Sequence, residues 1–367
     1  MDEIVVALLC CLVLALAARR LSLPPVPFYI IAGVIAGNYG LTALRTGGIA
    51  EYFSHLGLIF LLFYSGLEFR PQRFLSRGSS FVTSGVLDLA VNLAIGFFGA
   101  LALGFSPFQA FVVGAAFLDT SSAIAVASLI ENRKLASRES ETIVWLLIFE
   151  DLVMVFLIFF VSTDVGNPFF LLAKIAAVVL LIFVAVRLLS RQIAAVVQRD
   201  DDLPALFTVT AVLAAIAVAA ALGIPEAVPV IVLGSALSRT NPAAFERIVT
   251  PFKDVFLVVF FFFFGTTINL LGEISIVLIL AVSLLAIAAK AIGGLAIGRA
   301  LHHSTAAGIE IGANTVAHGE FAIALAAIYG SGLVSSTVAA MVIITSILGV
   351  FTARYSASLA ALIRPRP

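Results

Sequence analysis

The sequence predicts an all-α integral membrane protein of about thirteen transmembrane helices, arranged as two inverted six-helix repeats around a linker helix. Three observations predict it. The 367 residues are 62% hydrophobic and 11% charged, against roughly 25% charged in a soluble domain. Mean hydropathy is +1.17, and a water-soluble exterior could not cover that much apolar surface. Finally, apolar segments near the length needed to cross a bilayer core, about 20 helical residues, recur along the whole chain.

In order, the segments are 4–18, 25–39, 51–67, 79–104, 107–130, 141–162, 168–189, 204–223, 227–237, 251–268, 274–299, 305–329 and 334–363. The first does not read as a cleaved leader: Asp2 and Glu3 precede the apolar run, and Arg19 and Arg20 follow it. Basic flanks remain cytoplasmic, which puts the N-terminus outside and the C-terminus in the cytoplasm. The other basic residues test this orientation. All fall in cytoplasmic loops except Arg45, in an outer loop, and Lys174 and Lys290, inside spans. Lys174 sits near a span end, where it can snorkel.

Thirteen spans divide into a first repeat at about 1–163, a linker helix at about 168–189 and a second repeat at about 204–363. An offset of seven spans reverses direction, so the repeats are inverted. Partner spans five and twelve share a defect. Asp119-Thr120-Ser121-Ser122 interrupts the fifth, and Gly312-Ala313-Asn314-Thr315 with His318-Gly319 interrupts the twelfth. Such breaks free carbonyls and half-helix ends at the midplane to hold ions. The whole chain reads as one transmembrane domain, with no loop or tail long enough for a soluble regulatory domain.

Charge inside a span is costly and points to function. The run LLIFEDLV (146–153) puts Glu150 and Asp151 side by side near the middle of the sixth span. Adjacent helical residues stand about 100° apart, so one can face an ion while the other faces a neighbouring helix. Mutual repulsion and low dielectric favour a proton on one of them. A carboxylate that is neutral with a proton and binds a hard cation without one is what proton-coupled cation transport needs. Lys290 is the one strongly basic residue deep in a span, and its counter-charge is Glu150 or Asp151. Asp119 is either an additional oxygen ligand or a helix cap, and Asp88 a hydrogen-bonding group within the bundle. Glu310 and Glu320 flank the second break, and Glu320 reads as structural support. His318 either titrates or stays a neutral hydrogen-bonding group.

Several function classes are disfavoured. Zero net charge argues against a nucleic-acid partner. Cys10 and Cys11 are adjacent, so they offer neither a disulfide framework nor a metal site. No cofactor is expected. An intramembrane aspartyl protease needs acids on separate helices and a GD motif, which is absent, so the chain does not read as an enzyme. A channel filter needs rings of carbonyls or charges, whereas this chain has a titratable pair.

With these residues in hand, the sequence resembles the cation:proton antiporter-2 family, which includes sodium/proton and Kef-type potassium/proton exchangers. The likeness runs through GLIFLLFYSGLEFRPQRF (57–74), FLDTSSAIA (117–125), LLIFEDLV, FFFFGTTINL (261–270), Lys290 and HGEFAIAL (318–325), in family order. The resemblance implies a sodium/proton antiporter-like fold, with crossed discontinuous helices in a core domain that moves like an elevator against a dimerising domain. It implies secondary antiport of Na⁺ for H⁺ across the plasma membrane of a prokaryote by a homodimer, with K⁺/H⁺ exchange of Kef type as the alternative. A sodium-coupled organic-solute symporter is a more distant one. Asp151 takes the essential aspartate position, binding Na⁺ or K⁺ transiently. Glu150 takes the variable position before it, and Lys290 that of the lysine paired with the first acid. Thr120, Ser121, Asp119 and Asn314 complete the expected cation-binding set, and Thr120-Ser121 resembles the pair of the sodium/proton branch. The chain departs from the family pattern at Glu150, at Asp119 and at His318, where sodium/proton members often carry Arg.

Overall fold

The structure is a computed structural model, which describes residues 2–21, 23–38, 49–68, 78–131, 134, 137–162, 168–268, 275–329 and 332–361. Arg45, Arg70, Arg73, Arg77, Arg133, Arg364, Arg366 and the 69–74 end of the motif at 57–74 lie outside the described residues. Among those described there are helices and no strand: α1 Asp2–Arg20, α2 Val26–Asn38, α3 Ile49–Glu68, α4 Gly78–Ala102, α5 Pro107–Ala116, α6 Ser122–Glu131, α7 Arg138–Ser162, α8 Pro168–Leu188, α9 Ser190–Val197, α10 Leu203–Leu222, α11 Ala227–Leu237, α12 Pro242–Thr266, α13 Ile276–His302, α14 Thr305–Thr315, α15 Glu320–Tyr329, α16 Gly332–Arg354 and α17 Ser356–Ala361.

Each apolar segment holds at least one helix, but the structure does not establish the count of thirteen spans. Among the described residues, six helices are long and apolar enough to cross a membrane, and up to eight spans result if each bent pair is one. One such pair is α8–α9, bent by 68°, and the other is α14–α15, bent by 55°.

Two boundaries move. The tenth segment, expected from Pro251, begins at Pro242, and Pro251 lies inside the helix. Asn241 caps this start, its Oδ1 accepting from the Ala244 N–H at 3.3 Å, with Pro in the first turn where its missing N–H costs nothing. The second break also shifts. Gly312, Ala313, Asn314 and Thr315 are the last turn of α14, and only 316–319 leave the helix. The polar side chains of that turn reinforce the helix instead of opening it: Asn314 Nδ2 donates to the Glu310 carbonyl at 2.8 Å and Thr315 Oγ1 to that of Ile311 at 3.2 Å. The glycines serve packing. A Cβ on Gly294 of α13 would stand 2.3 Å from the Gly312 nitrogen, and one on Gly298 would stand 2.2 Å from the Gly308 Cα. Only backbone fits there, as in the small-residue seams of membrane helices.

The chain forms two compact units, each drawn from both halves of the sequence. The first contains α3, α8–α11 and α12 as far as Phe261. Within it α3 lies against α11, where Gly66 and Gly234 meet. Lys174 of α8 donates to the Leu222 carbonyl at 2.7 Å, so it neutralises the C-terminal end of α10. The second unit contains α1, α2, α4–α6, α7 as far as Leu157, the end of α12 from Phe262, and α13–α17. There α13 packs on both α4 and α14, α16 packs on α13, and α15 packs on α5 and α16.

Candidate functional site

All the site residues expected from the sequence fall in the second unit. Its centre is two interrupted helices. The first is α5 and α6, separated by 117–121, and the second is α14 and α15, separated by 316–319. An interruption leaves N–H and C=O groups without helical partners, and in a bilayer core no water replaces them. Each break answers the other. The Ser121 N–H donates to the Ala317 carbonyl at 2.7 Å, and the Thr120 hydroxyl donates to that of Thr315 at 3.4 Å. Asp119 reaches the first turn of α15, where its Oδ2 accepts from the Ala322 N–H at 2.7 Å. Of the two roles expected for Asp119, this geometry is that of a cap, on a helix that follows 200 residues later in the chain. Ser346 of α16 holds the second break from behind, donating to the His318 carbonyl at 2.9 Å.

His318 spans both breaks. Its Nδ1 faces the Val316 carbonyl at 3.0 Å and its Nε2 the Phe117 carbonyl at 3.2 Å, and the ring is buried. A neutral imidazole has one N–H and donates to one of these acceptors; a second proton would serve both.

Lys290, from α13, lies beside the first break with a fully buried side chain. Its Nζ donates to Glu150 Oε1 at 2.8 Å and to the Leu118 carbonyl at 2.6 Å, and stands 3.5 Å from Asp88 Oδ2. Glu150 and Asp88 are likewise buried, at 0% and 1% exposure. The Leu118 carbonyl lies just past the C-terminal end of α5, where a cation opposes the helix dipole, while Asp119 puts a carboxylate at the N-terminal end of α15. The breaks therefore carry charges of the sign each end favours.

Glu150 uses one oxygen for Lys290. Its Oε2 is buried without a hydrogen-bond partner, although the Thr120 hydroxyl interacts with the same carboxylate. Asn314 Oδ1 is also buried and unpartnered. Asp151, the next residue on α7, is half-buried, as its 100° offset from Glu150 requires. Glu320 opens α15, and Ser121 is buried in the first break. Among the described residues no group of three or more His, Cys, Asp or Glu could hold a metal ion.

The structure thus brings Lys290, Glu150, Asp119, Thr120, Ser121, Asn314 and His318 around the two breaks. It adds Asp88, which the sequence reading confined to hydrogen bonding in the bundle. A signal for it exists: Asp88 and Asn92 are four apart on α4, on a face where Gly293 of α13, three residues from Lys290, leaves room for both.

Comparison with known proteins agrees with this architecture. Residues 4–356 match the family model described as sodium/hydrogen exchanger, transmembrane. The chain is 29% identical to the K(+)/H(+) antiporter subunit KhtU of Bacillus subtilis, over 95% of this chain and 91% of KhtU. It is 25% identical to the ammonium/H(+) antiporter subunit AmhT of Alkalihalophilus pseudofirmus, over 93% of this chain and 89% of that protein. The structure of the sodium proton antiporter MjNhaP1 from Methanocaldococcus jannaschii superposes with a TM-score of 0.67 at 20% identity, covering 98% of this chain and 97% of that one, and so shares the fold. The helices, the clasped breaks and the matched family model lead to one assignment: the chain belongs to the transmembrane sodium/hydrogen exchanger family and is an integral membrane cation:proton antiporter, not an enzyme.

Proposed function

We propose that the protein exchanges Na⁺ for protons across a prokaryotic plasma membrane by elevator-type alternating access, with Asp151 as the carboxylate that alternates between cation and proton. The observation that carries this reading is the buried Lys290–Glu150–Asp88 cluster set against two mutually clasped helix breaks. Glu150 is held by Lys290, and Asp151, beside it on α7, is a half-buried carboxylate on a different face of the helix. Thr120, Ser121 and Asn314 supply further oxygens, which suit a hard monovalent cation. An elevator needs a carrier that keeps its ion site intact as it moves, and the site residues belong to a single unit. The protein works as a homodimer with its N-terminus outside, a reading that rests on the family resemblance and on the basic loops.

The identity of the cation has a second reading. Thr120-Ser121 favours Na⁺, whereas KhtU and AmhT are named for potassium and ammonium, which favours K⁺. Proteoliposome flux separates them: imposed Na⁺, K⁺ and ammonium gradients are compared for proton movement, in wild type and in Asp151→Asn. Wild type should respond to Na⁺ above K⁺, and the variant should insert normally yet fall to background. Cation-driven proton flux in a well-folded Asp151→Asn protein would remove Asp151 from its role.

A further inference from the structure

One more buried carboxylate of the same unit has no part in that cycle. Glu310, on α14, is 3% exposed at its side chain and is paired with Lys134, whose side chain is 25% exposed. Lys134 lies between α6 and α7 in the chain. Its N–H donates to the Leu129 carbonyl at 2.9 Å and its carbonyl accepts from the Ser137 N–H at 2.8 Å, while Ser137 Oγ accepts from the Ser140 N–H in the first turn of α7. The lysine backbone is therefore bonded to α6 and to the residue that precedes α7, and its flexible stem reaches Glu310.

One helical turn from Glu310, on the same face, stands Asn314. Its Nδ2 is used by the Glu310 carbonyl, but its Oδ1 is buried with no partner, an unusual state for an amide oxygen. The next residue, Thr315, gives its carbonyl to Thr120, and Thr120 in turn interacts with the Glu150 carboxylate. Along α14, then, Glu310, Asn314 and Thr315 follow one another from the ion pair with Lys134 to the bond with the first break. The distribution of basic residues in the sequence puts Lys134 on the cytoplasmic side.

We propose that Glu310 is a second station for the transported monovalent cation on the approach to Asp151, with Asn314 Oδ1 as the oxygen the two sites share in turn, and that Lys134 is a tethered competitor for it. This rests on the exchange reading above. A carboxylate and an amide oxygen are hard donors suited to Na⁺, K⁺ or ammonium, and the lysine ammonium supplies the same charge to Glu310 when no ion is present. A tethered ammonium competes at high effective concentration, so the station fills only when the free cation is abundant. Lys134 thereby raises the cation concentration at which exchange half-saturates.

The test uses the full chain in proteoliposomes, with Lys134→Gln, Lys134→Arg, Glu310→Gln and the Lys134→Gln/Glu310→Gln double variant, titrated with Na⁺ and with K⁺. Lys134→Gln should lower the half-saturating cation concentration by roughly 3- to 10-fold, and Lys134→Arg should restore it. Glu310→Gln should raise it, and the double variant should match Glu310→Gln. A second readout needs no transport. In detergent, melting of Lys134→Gln should rise with NaCl, KCl or NH₄Cl more steeply than with choline chloride, and the double variant should lose this excess. A Lys134→Gln protein that is unstable and is not rescued by any of the three small cations overturns the proposal. So does an unchanged half-saturation across the series, which would leave Lys134–Glu310 as a structural bridge. Failure of wild type to move protons under any cation gradient would instead refute the exchange reading, while the melting series would still report on Glu310.

Discussion

Two carboxylates and one ammonium share the buried centre of the second unit, so with all three ionised the cluster carries one negative charge in excess. A proton on either acid makes it neutral. This count ranks the variants. Glu150→Gln leaves Lys290 paired with Asp88 at 3.5 Å and bonded to the Leu118 carbonyl at 2.6 Å. Its loss is a charge-assisted hydrogen bond, about 1.5–3 kcal/mol. Asp88→Asn leaves the 2.8 Å Glu150 contact in place and should cost no more than Glu150→Gln. Lys290→Gln is different: it leaves two buried acids with no counter-ion, and uncompensating a buried pair costs about 3–5 kcal/mol. Trp145, the one tryptophan of the chain, lies on α7 five residues before Glu150, so its fluorescence reads melting close to the cluster. At neutral pH the order of destabilisation should be Lys290→Gln first, then Glu150→Gln, then Asp88→Asn. Because protonation of both acids relieves the excess charge, Lys290→Gln should recover stability as pH falls. Lys290→Gln melting like wild type at neutral pH, or failing to gain on acidification, would refute the charge count.

Other expectations follow from the same geometry. Asp119→Ala removes the cap on α15 and should cost about 0.5–2 kcal/mol, measured by the same melt, with proton flux falling as the second break loosens. Exchange should be electrogenic: cation jumps on a solid-supported membrane should give transported charge that shrinks in Lys290→Gln. Flux in wild type that is insensitive to a clamped potential would make Glu150–Lys290 a permanent bridge. Gly294→Val should prevent α13 and α14 from closing, since even a Cβ would stand 2.3 Å from the Gly312 nitrogen, and it should be read as loss of a monodisperse folded peak in detergent.

What was legible in the sequence was whatever short stretches of chain decide. Hydropathy located helix in each apolar segment, because membrane helices satisfy their own backbone and so announce themselves by composition alone. The first break was readable at Asp119–Ser121. The second was displaced, because Gly312–Thr315 look like helix-breaking residues in a string. In three dimensions the glycines admit α13, and the polar side chains bond back one turn. Pro251 misled as a start signal, although Asn241-Pro242 carried the proper cap signature. Less legible were contacts between distant segments: Lys290 with Asp88 spans 202 residues, and Glu310 with Lys134 spans 176. Neither alters local periodicity, so no window of sequence exposes them. The division into two units was hidden as well, because each unit is drawn from both halves of the chain.

The reciprocal bonding of the two breaks has a consequence for biogenesis. Thr120 and Thr315 are 195 residues apart, and synthesis proceeds at about 5–20 residues per second. For roughly 10–40 s, then, the nascent chain holds α5 and α6 with the partners of 117–121 still unmade. Backbone groups stranded in hydrocarbon are costly, so that segment has to wait near water, at the insertion machinery or at the bilayer surface, until α14 and α15 arrive. Final seating of the amino-terminal break is thus a late event that waits on the carboxy-terminal third of the protein. A ribosome stalled before residue 305 would leave a chain whose early helices are synthesised and whose first break has no second break to bond with.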